Sequence, residues 1–347
     1  MTALAEETAV VERRAHSHVI AETLLRFREL GIVLALVLVV GATTIDNHRF
    51  LSLTNVQQVL SSAAIIALLA IGETIVIVTR NVDLSIGSVL GISAYATGVL
   101  YVHHPHVPLV LVFLTALGIG AGCGVVNGLI VTVARVPSLV VTLGTLYVIR
   151  GIDGAWAGGN QVNASMLPDS FNKIGFGTVL GVPYLALIAI VAVAMATYAM
   201  RSFRTARDFY AIGSQPDAAR LAGIPVGRRV FLAFVLSGAI AGVTGALWLS
   251  YYASVDAIAG VGYEFQVIAA VVVGGVAIFG GGGTVFGAAL GALLLWAIQS
   301  ALVVSNVFSQ FWTQAVAGAL LVGAIALDRL IAVRVAPALR ARRRARV

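Results

Sequence analysis

Residues 201–229, RSFRTARDFYAIGSQPDAARLAGIPVGRR, form a polar island with six arginines between two long apolar runs. Within it the sequence marks out one short helix. Ser214 is placed to cap its start, and Pro216 falls in its first turn, where a missing N–H is no loss. Gly223 supplies a left-handed residue at its end, and Pro225 prevents continuation. A helix of about eight residues does not persist alone in water, so it needs a surface to dock on. In a chain that is otherwise nearly all apolar, that surface belongs to another subunit. On the plainer reading, the island is an ordinary basic loop between two spans.

The chain as a whole is 59% hydrophobic and 11% charged, against roughly 25% charged in a soluble domain. Several apolar runs are long enough to cross a hydrocarbon layer about 30 Å thick. This composition predicts an all-α polytopic membrane protein. The net charge of +7 does not imply nucleic acid. The basic residues lie between apolar runs and in the tail, where membrane lipid headgroups take them. Cys123 is the single cysteine, so no intrachain disulfide can form.

A polar segment, 1–30, precedes a short apolar run at 31–45. That run has the length of a signal-peptide core, but its long hydrophilic lead predicts an uncleaved first helix. Further spans are expected near 57–79, 85–101, 108–134, 137–157, 178–200, 229–253, 266–280, 283–304 and 311–332, ten in all. With both termini cytoplasmic, the arginines of 1–30, Arg80, Arg135, the island and the basic tail 333–347 share the inner face. Arg49 and Lys173 lie outside. This is the positive-inside pattern, and adding or dropping one span would scatter it. Residues 31–332 thus read as one transmembrane domain with 201–229 as its cytoplasmic loop.

Glycines recur at four-residue spacing: Gly118–Gly122, Gly120–Gly124–Gly128, Gly238–Gly242 and Gly283–Gly287–Gly291. Such spacing lets helix backbones approach closely in lipid, where the hydrophobic effect cannot drive association. Two stretches read as helices broken inside the membrane: TRNVDLSIGS at 79–88 and GGVAIFGGGGT at 274–284. They fall at corresponding places in an inverted repeat of spans two to five and seven to ten. Paired interruptions of this kind point to a transport pathway; two ordinary turns are the competing reading.

Few ionisable groups enter the spans. A charge buried in lipid is costly unless it is paired or faces water. Glu73 is therefore expected to line a path, hold a partner or be protonated. Arg150 and Asp153, three residues apart, are expected to pair on one helix face. Asn127 and Thr142 are expected to hydrogen-bond between helices. The chain carries no nucleotide-binding P-loop, because its only lysine, Lys173, is followed by Ile174. His103, His104 and His106 share one outer loop without acidic or cysteine neighbours, so no metal site is expected. No catalytic constellation is recognisable.

At this point several blocks carry a family resemblance. GETIVIVTRNVDLSIGSVLG, NGLIVTVARVPSLVVTLGTLYVIRG, YAIGSQPDAARLAGIPVGRRVF and GYEFQVIAAVVVGGVAIFGGGGTVFGAALGA resemble, in order, the blocks of permease subunits from bacterial ribose-type ABC sugar importers. The wording VTRNVDLS, where many ribose permeases have Gly-Gly before the aspartate step, resembles the rhamnose and autoinducer-2 branch. The resemblance covers about residues 50–330 and implies an ABC importer permease fold in the bacterial inner membrane. It implies a second permease subunit, identical or a paralogue, and an ABC ATPase subunit that holds ATP-Mg; no cofactor is expected on this chain. It also implies a periplasmic or lipid-anchored substrate-binding protein.

On this reading Ser214–Gly223 is the helix that couples to the ATPase, with Asp217, Ala218, Arg220, Leu221, Gly223 and Ile224 as contact and turn residues. Glu73, Asn81, Asp83, Ser85 and Asn127 are expected beside the translocation pathway. Glu264, Phe265 and Gln266 are expected to receive the binding protein. A branched-chain amino-acid permease and an autonomous carrier driven by protons through Glu73 or Asp83 stand as alternatives.

Overall fold

The computed structural model describes residues 29–305 and scattered positions between 312 and 326. The described chain is helical almost throughout. In order come α1 (Glu29–Asp46), α2 (Leu53–Val78), α3 (Ile86–His103), α4 (Leu109–Thr132), α5 (Ser138–Ala157) and α6 (Asp169–Phe176). They are followed by α7 (Tyr184–Ser202), α8 (Arg204–Ser214), α9 (Pro216–Leu221), α10 (Val226–Tyr252), α11 (Tyr263–Val273) and α12 (Val285–Val304). A two-stranded hairpin pairs Thr178–Val179 with Val182–Pro183.

Eight of these helices are long and apolar enough to cross a membrane. They match eight of the ten expected spans, with one adjustment: 178–183 forms the hairpin, so the sixth span begins at Tyr184. The expected span at 266–280 is not a through helix. α11 holds 11 residues, about 16 Å of rise, and stops at Gly274. The expected span at 311–332 and the segments 1–28 and 333–347 lie almost wholly outside the described residues.

α2 is the centre of the bundle. It carries apolar residues on every side, and each residue from Ser61 to Val78, Glu73 included, is buried, as befits a helix with no continuous polar face to turn outward. Around it stand α7, α10, α11 and α12. The periphery is apolar too: Leu34 and Val37 of α1, Val110 and Leu114 of α4, Val148 and Ile152 of α5, and Ile190 and Met195 of α7 are exposed. A surface of this kind is stable against lipid.

The packing has a reversed internal symmetry. α10 lies on α4 as α2 lies on α12, α3 meets α10 as α11 meets α2, and α3 lies on α4 as α11 lies on α12. This is the relation expected of an inverted repeat. The α4–α10 crossing is made by glycines: a Cβ on Gly120 would stand 2.1 Å from the Gly238 carbonyl oxygen, and one on Gly124 2.4 Å from that of Phe234. Gly118 and Gly122, one step round the same helix, meet nothing.

The two interrupted stretches do not occupy equivalent steps of the repeats. Residues 79–85 precede α3, whereas 274–284 follow its counterpart α11. They instead meet each other, since the Gly281 N–H donates to the Val78 carbonyl at 2.9 Å. Gly275, Gly280, Gly281 and Gly283 all have positive φ, which is what the glycine run supplies. The segments that charge assigned to one face, 80–84, 201–229 and 281–282, lie together, linked by Arg80 to Ser214 and by Tyr210 to Gly283. On the other face the loops after α5 and α10 join through a bridge between Val162 and Val255.

Candidate functional site

The island 201–229 forms two helices where one was expected. α8 ends at Ser214, so Ser214 closes a helix and does not cap the next one. Gln215 is the N-cap residue of α9, Pro216 its first residue. An arginine–carboxylate pair, Arg229 to Asp208 at 2.8 Å, fixes α8 to the start of α10. α9 ends as anticipated. Gly223 has φ +79, the Ile224 N–H reaches the Ala219 carbonyl at 3.0 Å, and the Gly223 N–H reaches that of Arg220 at 3.0 Å. This is a Schellman closure.

Ala219 anchors α9 inward, while Asp217, Ala218, Arg220, Leu221 and Gly223 are exposed and Ile224 is half-buried. Leu221 is 92% exposed. Asp217 and Arg220 pair at 2.9 Å on the surface, a contact worth little to stability. An ordered short helix thus presents a bare leucine and two charges to its surroundings.

The second cluster lies inside the bundle, where α2, the 79–85 break, α4 and α10 meet. Glu73 and Asp83 are both buried. Asp83 Oδ1 accepts from the Ser85 N–H at 3.0 Å and from the Ser85 hydroxyl at 2.6 Å. Its Oδ2 accepts from the Ser237 hydroxyl at 3.3 Å. Glu73 Oε1 accepts from the Asp83 N–H at 3.2 Å, and Asn127 Nδ2 donates to Ser85 Oγ at 2.8 Å. Glu73 Oε2 and Asn127 Oδ1 are buried without a partner. Two carboxylates, two hydroxyls and an amide therefore form one network that retains spare acceptors, and among the described residues no basic side chain takes part in it. Such a group has the chemistry to accept from hydroxyl and amide donors.

Four of the five expected pathway residues are in this network. Asn81 is not: its side-chain amide donates to Thr79 O and Oγ1, both at 3.0 Å, and stiffens the turn. Ser237 was missed. Its only sequence signal is a hydroxyl next to Gly238 on a glycine-spaced helix, where Gly72 lets the two backbones touch. Thr142 bonds not to another helix but to the break, donating to the Val82 carbonyl at 3.3 Å, and back to Ser138 of its own helix at 2.9 Å.

Arg150 and Asp153 do not pair as expected. Arg150 Nη1 donates to the Ala259 carbonyl, and both oxygens of Asp153 are buried without a hydrogen bond. The guanidinium lies within electrostatic reach of Glu264 as well as Asp153, and the carbonyl draws it away from its own helix face. Glu264 is likewise not a surface residue. It is 6% exposed because α3 offers Gly87 opposite it, and its Oε1 accepts from the Gly262 N–H at 3.2 Å. Phe265 is exposed beside Val261 and Ile258, and Gln266 is half-buried.

Residues 55–325 match the protein family described as branched-chain amino acid transport system / permease component. The chain belongs to this permease family. Among curated relatives, the permease is 37% identical over 307 residues to the autoinducer 2 import system permease protein LsrC of Enterobacter sp. (strain 638), covering 88% of each chain. It is 35% identical to the protein of that name in Klebsiella pneumoniae, again over 88% of each chain. With that of Escherichia coli (strain K12 / DH10B) it shares 34% over 87% of this chain and 86% of the relative. No solved structure matches. The permease is thus a transport component and not an enzyme, a multi-pass protein of the bacterial inner membrane, and its similarity to these relatives agrees with the expected rhamnose and autoinducer-2 branch.

Proposed function

We propose that the permease carries a sugar-like solute of the autoinducer-2 kind into the cell, driven by an ATPase that docks on α9. The observation that carries this reading is the exposed, Schellman-closed α9 with Leu221 bare on its surface. The chain has no P-loop, so ATP-Mg belongs to the partner. A soluble binding protein would deliver the solute at the opposite face, where Ile258, Val261 and Phe265 form an exposed apolar rim. A second permease subunit, identical or a paralogue, would complete the pathway. ATP-driven closure of the ATPase would move α8 and α9 and open the path around Glu73, Asp83, Ser85, Asn127 and Ser237.

The family description favours a second cargo, a branched-chain amino acid. Such a zwitterion brings an ammonium that the two carboxylates would meet, but also a carboxylate for which the described network offers no cation. Its chemistry suits a neutral cargo rich in hydroxyl donors.

The test is recovery of the tagged permease from its host in mild detergent, beside Gly223→Asp. Nothing lies within 4 Å of a Cβ at Gly223, so the spans are untouched. The variant strains a left-handed residue and sets a carboxylate at the negative end of α9. Co-purification of an ATPase with the wild type and its loss in the variant is the expected result. A permease recovered alone, even after crosslinking, would turn the reading toward an autonomous carrier. Uptake competed by leucine and not by autoinducer-2 would overturn the cargo.

A further inference from the structure

We infer that Arg80 is the positioning residue through which movement of the α8–α9 unit reaches the buried carboxylate network. The inference rests on reading α9 as the ATPase-docking helix, and deepens it by naming the path of transmission.

Arg80 has φ +65, a backbone conformation that glycine adopts freely and other L residues rarely hold. What arginine adds at that position is its side chain. Its Nε donates to the Gly213 carbonyl and its Nη2 to that of Ser214 at 2.8 Å. These are two of the last carbonyls of α8, which lack partners within the helix and sit at its negative end. The stem lies across Gly280, where a Cβ would stand 2.4 Å from Arg80 Cγ. An unfavourable backbone held in place by a specific side-chain grip marks a functional constraint.

The grip closes a tight node. A Cβ on Gly213 would fall 1.7 Å from the Val78 carbonyl oxygen and 2.4 Å from the Gly281 nitrogen. The end of α8 is therefore wedged against the end of α2 and the glycine run, with no room to slide between them. On one side of the node, Gln215 alone separates α8 from α9. On the other, Arg80 stands three residues before Asp83. The intervening turn is stiff: Asn81 holds Thr79, Thr79 Oγ1 donates to the Val76 carbonyl at 2.7 Å, and the Val82 N–H donates to Ser138 Oγ at 3.3 Å. A displacement of α9 thus pulls on a short rigid tether whose far end is the carboxylate held by Ser85 and Ser237.

The test uses the complete complex purified from the host and reconstituted in vesicles of host lipid. Arg80→Gly relieves the backbone and removes the guanidinium. Arg80→Lys keeps a cationic donor, and Arg80→Gln keeps the stem over Gly280 without the charge. The readouts are solute uptake per ATP hydrolysed and hydrogen exchange with and without ATP. In the wild type, ATP should alter exchange at both 215–224 and 81–85. In Arg80→Gly, ATP hydrolysis and the response at 215–224 should persist and the response at 81–85 should vanish. Uptake per ATP should fall about tenfold, the loss expected on removing hydrogen bonds from a charged group. Arg80→Lys should recover part of it. Arg80→Gln gives the same reading if the glycine variant inserts poorly. Uptake per ATP and an 81–85 response at wild-type level in Arg80→Gly and Arg80→Gln would overturn the inference and leave α9 docking intact. A wild type in which 215–224 ignores ATP would overturn the docking reading itself.

Discussion

Asp83 lies 1% exposed and retains its place because three donors converge on it: the Ser85 N–H, the Ser85 hydroxyl and the Ser237 hydroxyl. A buried acceptor stripped of a donor costs about 1–3 kcal/mol. Ser237→Ala should therefore lower thermal stability in detergent by that order, with no steric conflict, since only Oγ is removed. Because the two residues share one interaction, Asp83→Asn combined with Ser237→Ala should cost less than the sum of the single changes. Additive melting shifts would show that the Ser237 contact contributes nothing. At this scale the sequence disclosed polar residues in apolar surroundings but not their partners. Glu73, Asp83 and Ser85 lie within one quoted block, whereas Ser237 comes from α10, 154 positions away from Asp83. Arg150 and Asp153 show the reverse failure: a spacing that allows a pair does not form one when a carbonyl from another segment competes.

At the scale of elements, glycine spacing was legible but its direction was not. Both Gly118–Gly122 and Gly120–Gly124–Gly128 have the four-residue step, and only the second row meets α10. Gly120→Ala would drive a methyl into the backbone of Gly238 and Gly242, which cannot give way. It should cost at least the roughly 1–3 kcal/mol typical of overpacking. Gly118→Ala meets nothing and should be neutral or stabilising by up to about 1 kcal/mol through helix propensity. Equal melting temperatures for the two variants would refute the crossing. α9 permits the opposite experiment. Leu221 makes almost no contact within the chain, so Leu221→Glu should leave stability within about 0.5 kcal/mol of wild type. It should nevertheless abolish ATPase co-purification. The C-terminal end of α9 was read well from Gly223 and Pro225 and its first turn from Pro216, since these are local chemistry. The cap assigned to Ser214 fell on Gln215, because Ser214 closes α8. α8 was missed although its helical pattern is marked, with Ala206, Phe209, Ile212 and Gly213 on the buried side, because its arginines read as part of a basic loop between spans.

At the scale of the molecule, reporters inserted after Lys173 and after Ala222 should sit on opposite sides of the membrane, with the Ala222 reporter in the cytoplasm. The structure puts these positions at opposite ends of the bundle: α6, which holds Lys173, lies with Gly175 beside Ser250 and Tyr251, and the α8–α9 unit, which Ala222 ends, lies with Ser214 beside Arg80; charge says which end is cytoplasmic. Reporters on one side would break the topology. Hydropathy, charge asymmetry and the helix stops at proline and glycine were sufficient by themselves to determine a polytopic all-α membrane protein, eight of its membrane spans, the grouping of loops at each face and the short helix α9. These depend on composition within a window, or on neighbours a few residues apart. Only the tertiary structure decided that α11 ends halfway, that the two interruptions touch, that Glu264 turns inward, and that Arg80 grips the end of α8. Each of these is a contact between segments distant in the chain, and in a bundle packed this closely the partner is set by which backbones can approach.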